Sequence, residues 1–392
     1  MKAHTVQLGG LVTIVGGGTP SRIRADYYNG DIPWITVKDF TDDFFIKGSK
    51  ERITQLGLAD SASRLIPAGN VILGTRMSVG KAAINLVDVA INQDLKALLC
   101  GSELEPRYLN FFLAAKATAL EAQASGATVK GIKIDDIEAL EIPLPTLTEQ
   151  RRITERLEKA DRLRRVGRYA LELSYTLPHA AFLEMFGDPL LNPMNWPIDS
   201  LRKVCTRFSD GPFGSNLKTS HYSRDGVRVI RLQNIGVGEF LDEDRAYISP
   251  SHFNALRKHE CLPGDVLIGT LGDPNLRACL LPSTVPSALN KADCIQARVD
   301  NQKADATYIC WLLNMPTAIF LTPGMIHGET RARISMGQLA ELPVPVPPLP
   351  RQQQFASVVR RFERLRAQQR EAERQAQHLF QTLLHHAFVP QI

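Results

Sequence analysis

Long apolar runs are missing from this sequence. Across 392 residues no hydrophobic stretch reaches the roughly 20 residues that a membrane-spanning helix needs, so the expectation is a cytoplasmic protein without a membrane partner. The early apolar run from Leu8 to Val15 contains Gly9 and Gly10 and ends in Gly-Gly-Gly-Thr-Pro instead of a small-residue cleavage site. It reads as a buried strand and not as a signal peptide. Cysteine is scarce and unpatterned: Cys100, Cys205, Cys261, Cys279, Cys294 and Cys310 form no CxxC or Cys/His pairing. That argues against a zinc site or a disulfide framework and for buried free thiols. A strong charge of one sign is lacking too, since a net charge of +5 leans toward polyanions without dictating one.

Catalytic patterns are equally thin. The stretch Val15 to Arg22, VGGGTPSR, has neither the phosphate-loop spacing nor GxGxxG. Two readings of it remain: a tight turn of Gly16, Gly17 and Gly18, or a turn that also brings Thr19, Ser21 and Arg22 to a nucleic acid. The stretch NPMNW, Asn192 to Trp196, lacks the second proline and the aromatic of the Asn-Pro-Pro-aromatic motif of adenine methyltransferases, and it reads as a linker. No nuclease cluster, Ser/His/Asp arrangement or metal-ligand set stands out, and His385 and His386 fall at the end of a helical pattern where a structural or solvent role suffices. The chain is therefore expected to be non-catalytic by itself, with no cofactor or metal of its own.

What the sequence does have is proline followed at once by helix, twice. Ile142 to Leu157, IPLPTLTEQRRITERL, and Val344 to Val359, VPVPPLPRQQQFASVV, make the same switch 202 residues apart, with Pro143 over Pro345, Pro145 over Pro347 and Gln150 over Gln352. Upstream, Thr128, Ile132, Ile137 and Leu140 face Thr330, Ile334, Leu339 and Leu342 at the same offset. Further back, PAGNVILGT faces PGDVLIGT, AIN faces ALN, and IPWITVKDF faces VRVIRLQNI, with offsets that drift as loop insertions make them. A period this long marks a duplicated domain pair and not a solenoid, whose units recur every 20 to 50 residues or so. With 44% apolar and 22% charged residues, both copies have the composition of folded domains.

Each copy joins a globular part rich in short strand patterns, glycine and proline to a helical arm. Arm one carries an apolar seam through Ile153, Leu157, Ala160 and Leu163, with a phase slip near Arg164 to Gly167; arm two carries one through Phe355, Val358, Phe362, Leu365, Leu379 and Leu383. At ~1.5 Å per residue an arm of about 38 residues is roughly 57 Å long, more than one small domain needs. Basic residues outnumber acidic ones eight to four over 149–168 and seven to three over 351–374. A solvated face explains this, and so does nearby phosphate or an acidic partner.

The expected fold is α+β: two pseudo-two-fold-related globular α/β domains separated by a pair of long antiparallel coiled-coil helices. The expected boundaries are 1–145 for the first globular domain, 146–187 for arm one, 188–197 for a linker, 198–347 for the second domain and 348–392 for arm two. Two similar heads with opposed orientation suit a ligand with two-fold pseudosymmetry, and duplex DNA, read at half-sites about 34 Å apart, is the prominent example.

In its GGTPS opening, IPWITVKD strand, SGATVKGIKIDDIEALEIPLPTLTEQRRI boundary and helical spacer, followed by a looser second copy, the chain resembles the specificity (S) subunit of type I restriction-modification systems, the HsdS family. The second copy departs from the pattern with DGPFGSNL for the opening and PRQQQF where a Glu-Gln pair is usual. The resemblance implies two target recognition domains that read a bipartite asymmetric site in double-stranded DNA. It also implies helices that set the spacer and dock two methyltransferase (M) subunits, and restriction (R) subunits in the full complex. S-adenosylmethionine, ATP and Mg2+ would be used on those other subunits.

Base reading requires paired donors and acceptors, and phosphate holding requires cations and hydroxyls. In half one the candidates are Thr19, Ser21, Arg22, Arg24, Lys38, Arg76, Lys81 and Lys130; in half two they are Asn216, Lys218, Arg231, Gln233, Asn234, Arg277, Arg331 and Arg333. Each also has an ordinary reading as a surface residue. The rival function is a non-enzymatic two-headed protein-interaction scaffold. A self-sufficient nuclease or methyltransferase is disfavoured by the missing motifs.

Overall fold

In the computed structural model, which describes residues 4–125, 131–322 and 333–388, the short apolar runs become short strands broken at glycine and proline. The first copy runs β1 (Thr5–Gln7), β2 (Val12–Gly16), β3 (Tyr28–Ile35), β4 (Phe45–Ile46), β5 (Glu51–Ile53), α1 (Gln55–Ala59), β6 (Leu65–Ile66), β7 (Val71–Gly74), β8 (Ala82–Asn85), β9 (Val89–Ile91) and β10 (Leu95–Cys100). It continues with α2 (Pro106–Gln123), α3 (Ile134–Glu138), β11 (Glu141–Pro143), α4 (Leu147–Ser174) and α5 (Leu177–Phe186). The second copy runs β12 (Ile198–Ser200), β13 (Cys205–Ser209), β14 (Tyr222–Ser223), β15 (Val227–Ile230), β16 (Ala246–Ile248), α6 (Pro250–Ala255), β17 (Glu260–Cys261), β18 (Val266–Gly269), β19 (Arg277–Leu280), β20 (Ala288–Asn290) and β21 (Cys294–Val299). It ends with α7 (Ala306–Leu313), α8 (Met336–Ala340), β22 (Pro343–Pro345) and α9 (Leu349–Phe388).

The repeat in sequence is a repeat in topology. The order β2-β10-β7-β8 of one copy recurs as β13-β21-β18-β19, β5-β3-β9-β6 recurs as β16-β15-β20-β17, and the pair β1-β11 recurs as β12-β22. In the second of these sheets the central pair is parallel in both copies, β3 beside β9 and β15 beside β20. Strands β7 and β18 are buried along their whole length, which is why VILG and VLIG are continuous apolar runs and not alternating ones.

The chain divides into two compact units that do not coincide with the two copies. One comprises residues 1–168 and 371–392, the other 169–370. Each unit is a mixed α/β head with two antiparallel helical segments, one from each arm. In the first, Leu157 and Ala160 of α4 share a core with Phe380, Leu384 and Phe388 of α9, and the Phe388 ring lies 5.0 Å from that of Tyr108. In the second, Phe182 and Phe186 of α5 share a core with Phe355 and Val359 of α9, and the Phe186 ring lies 4.8 Å from that of Tyr308. The core of each head is thus completed by the far end of the other copy's arm.

The prolyl joints are held by the same two side chains in both units. Gln150 and Gln352 are fully buried. The Gln150 side-chain carbonyl accepts from Glu105 N (2.9 Å), which caps α2, and its amide donates to Pro145 O (2.9 Å). Gln352 likewise accepts from Asp305 N (2.8 Å), which caps α7, and donates to Pro347 O (2.7 Å). The hydroxyls of Tyr108 and Tyr308 donate to Pro143 O (2.9 Å) and Pro345 O (2.7 Å). Proline lacks an N–H, so the carbonyls around it need outside donors, and these side chains supply them.

Three expectations about the arms need correction. Arm one is not a single long helix: α4 stops at Ser174 and α5 begins at Leu177. Pro178 has no N–H for the Ser174 carbonyl, and Arg366 donates to that carbonyl instead at 3.3 Å while its guanidinium lies 4.4 Å from the Tyr175 ring centre. The apolar seam is also displaced. Leu157, Ala160 and Phe355 are buried, and Ile153, Val358, Phe362 and Leu383 partly so, but Leu163, Leu365 and Leu379 are 59%, 42% and 44% exposed. The buried positions of α9 are instead Gln352, Phe355, Ala356, Val359, Arg366, Phe380, Leu384 and Phe388, because the helix packs on the heads as well as on the other arm. Third, the seam carries charge: buried Asp161 accepts from Arg164 (2.6 Å) and is ion-paired with Arg165 (2.8 Å). All six cysteines are free thiols, five of them buried, and among the described residues no helix is long and apolar enough to cross a membrane.

Candidate nucleic-acid interface

Four segments of the first head meet at one edge of its sheets. The turn after β2 is the first. Gly17 is required there because a Cβ would run into the backbone carbonyls of Ile91 and Asn92; Gly211 meets Asn290 and Lys291 in the same way in the second head. This accounts for the glycine-rich opening as a close approach of two chains. The second segment is the β9–β10 turn, Asn92 to Asp94, and the third is the β7–β8 hairpin loop. Thr75 N and Oγ1 both donate to Asp94 O (2.9 and 2.9 Å), and Thr270 N and Oγ1 both donate to Asp293 O (3.3 and 3.1 Å). The fourth segment precedes α3 or α8: Ile132 N donates to Thr75 O (3.0 Å) and Ile334 N to Thr270 O (3.1 Å). One loop scaffold has been built twice.

What the two scaffolds carry differs. In the first head Thr19 is exposed and bonds the Gln93 side chain, and Ser21 is exposed. Arg22 donates to Glu51 (2.6 Å) and lies 4.6 Å from the Tyr28 ring centre; the Glu51 bond raises its pKa. Arg24 is held by Asp26 (2.6 Å) and lies 4.7 Å from the Tyr27 ring centre. Lys38, Arg76 and Lys81 are exposed and, among the described residues, have no carboxylate partner. Lys130 lies outside the described residues.

In the second head Asn216, Lys218 and Gln233 are exposed. Arg231 is paired with Asp244, and Arg333 with Asp293 (2.7 Å), its guanidinium 5.5 Å from the Phe213 ring centre. Arg331 lies outside the described residues. Two candidates drop out of the base-reading set. Asn234 is fully buried, accepting from Arg231 N (2.9 Å) and donating to Leu241 O (2.9 Å) and Asp244 O (2.8 Å). It caps its turn as Asp39 does in the first head, where the Asp39 carboxylate accepts from Thr36 N (2.8 Å). Arg277 spends its guanidinium on four backbone carbonyls, those of Ile235, Leu271, Pro274 and Leu232, and burial lowers its pKa.

Lys96 was not singled out from sequence. It sits on β10 beside Gly16 of β2, half-buried, with its pKa lowered by burial and then by the charge of Arg76. A lysine inside the otherwise apolar strand LKALLC was the available signal.

The family model of the type I restriction modification DNA specificity domain matches residues 2–169 and 286–375. The chain belongs to this family. Among curated relatives of this specificity-domain protein, a type I restriction enzyme specificity subunit of Escherichia coli is 31% identical over 163 residues, 40% of this chain and 40% of that one. The MjaIX specificity subunit of Methanocaldococcus jannaschii is 29% identical over 154 residues, 38% of this chain and 36% of that one. The matched region thus spans about two fifths of those relatives' length. Among solved structures, the S subunit of a type I restriction-modification system from M. genitalium superposes with a TM-score of 0.58 at 16% identity, covering 99% of this chain and 96% of that one. A chain from work on complex assembly and conformational transition of the type I R-M system gives 0.62 at 20% identity, covering 98% and 97%. These likenesses establish that the specificity-domain protein shares their fold.

Proposed function

We propose that this chain is the DNA sequence-specificity subunit of a type I restriction-modification complex. Each head reads one half of a bipartite asymmetric site in double-stranded DNA through its four-segment edge. The helical segments set the unread gap and dock two methyltransferase subunits, and restriction subunits join in the full complex. The chain itself carries out no bond-breaking step; S-adenosylmethionine, ATP and Mg2+ serve the other subunits, which methylate adenine or cleave. The observation that carries this reading is a duplicated loop scaffold with divergent side chains, in a member of the DNA specificity family. A reader of two dissimilar half-sites requires a constant frame and variable contacts, whereas a symmetric ligand requires both to repeat.

The test is co-purification with a methyltransferase subunit followed by methylome sequencing. Exchanging residues 1–140 for another head should change one half of the methylated motif and leave the other. Alteration of both halves, or of neither, refutes modular reading.

A further inference from the structure

Met77 is the large apolar residue of the β7–β8 hairpin loop, and the head leaves it uncovered. It is 74% exposed and has φ +59°, a left-handed conformation that a side chain of this size rarely adopts. The loop around it is cross-braced. Arg76 N donates to Asp94 O (3.2 Å) beside the two Thr75 bonds, Ser78 N to Arg76 O (2.7 Å), Lys81 N to Ser78 O (3.1 Å) and Gly80 N to Gly74 O (3.1 Å). A rigid frame therefore holds a large apolar side chain in a strained backbone and in water. The bracing bonds hold the strained backbone, and burial of the exposed side chain against a partner would remove its apolar surface from water.

The surrounding charge narrows what that is. Arg76 and Lys81 flank Met77, both exposed and, among the described residues, without a carboxylate partner, and Lys96 lies behind Arg76. Ile23, still more exposed at 93%, sits between Arg22 and Arg24, but Glu51 and Asp26 already neutralise those cations. Among the described loop tips of the first head's four-segment edge, the Met77 tip combines an exposed apolar side chain with positive charge that has no carboxylate partner. Apolar side chains that enter the base stack from a basic loop unstack one step while neighbouring cations hold the phosphates. Methionine, unbranched and polarizable, suits an irregular slot between bases. In the second head the matching position is Gly272, and Arg277 pins the loop from within.

We propose that Met77 enters the DNA base stack at a step of the first half-site, with Arg76 and Lys81 on the flanking phosphates, so that the first head reads deformability as well as base edges while the second head does not. This rests on the DNA-reading function proposed above. The experiment uses the full chain bound to its methyltransferase subunit. The DNA probe is a duplex of the motif found by methylome sequencing, with a fluorescent base analogue placed in turn at each position except the methylated adenine. The wild-type complex should raise fluorescence severalfold at one step of the first half-site and at none of the second. Met77→Gly, which relieves the backbone strain and so leaves folding secure, should abolish that rise and weaken binding roughly tenfold with an unchanged salt slope. Unchanged fluorescence and affinity in Met77→Gly overturn the proposal, and so does loss of methyltransferase co-purification, which makes Met77 a protein anchor. Failure of the wild-type complex to bind the duplex at all refutes the DNA-reading function itself.

Discussion

The hairpin loops of the two heads, Thr75 to Lys81 and Thr270 to Leu276, hang from the same threonine on the same turn carbonyl, yet their arginines do opposite things. Arg76 of the first loop points its charge outward with no carboxylate partner among the described residues, while Arg277, at the base of the second, turns inward and binds four carbonyls. A duplicated frame thus keeps its backbone bonds and changes what it exposes. The lesson is that residue type alone does not assign a contact: an arginine near a turn is a probe of the outside only when the turn's own carbonyls are already satisfied.

The comparison breaks most severely at the arm ends. Phe388→Ala should destabilise the unit of residues 1–168 and 371–392 by about 3–5 kcal/mol, and Phe186→Ala the unit of residues 169–370 by the same about 3–5 kcal/mol. Hydrogen exchange checks this, since protection should fall in one unit per variant; a uniform loss would contradict separate cores. Next, Gln150→Ala and Gln352→Ala should each cost about 1–3 kcal/mol, because each leaves a buried N–H and carbonyl unpaired at a proline joint. Unequal costs in urea titrations would show that the two joints are not equivalent.

Smaller and more discriminating is the arginine pair. Arg277→Ala should lower the melting temperature of its unit, with a cost of about 1–3 kcal/mol from orphaned carbonyls. Arg76→Ala should leave the melting temperature unchanged and reduce the salt slope of DNA binding by about 1. The reverse outcome would exchange their roles. The smallest effect concerns thiols: burial pushes Cys205 and Cys294 up to about 12. At pH 8 a thiolate fraction of about one in ten thousand then remains at each, so a neutral alkylating reagent should label them only when residues 169–370 open, as mass spectrometry would read.

The duplication and its joints were legible because a proline and a glutamine each do one job at one offset of 202 residues, and any shift would leave a carbonyl or an N–H unpaired. The loop frame was half legible, with Gly17 and Thr75 standing at matching places. The seam was not. A heptad pattern records that a face is apolar but not which body covers it, so nothing in it marks Phe186 and Phe388 as core of the other copy's head or Arg366 and Asp161 as buried. Pro178 was in plain view and marks the end of α4. Asn234 looked like an adenine reader because only the path of the chain after β15 decides whether its amide meets a base or a carbonyl. Met77 and Lys96 went unnoticed for the same reason: exposure at a strained tip and burial in a strand are properties of the fold.

The exchange of arm ends also fixes an order of events during synthesis. Every segment of the second head's unit lies between residues 169 and 370, so that unit has all its parts once residue 370 has left the ribosome. The first head is made earlier but must wait for Phe380, Leu384 and Phe388. Until they arrive, the face built by Tyr108, Phe111 and Phe112 stays bare, and long-range closure of this kind is slow and exposes sticky surface. The head that is translated first is therefore the last to finish, and its uncovered aromatics are where a nascent-chain chaperone would take hold.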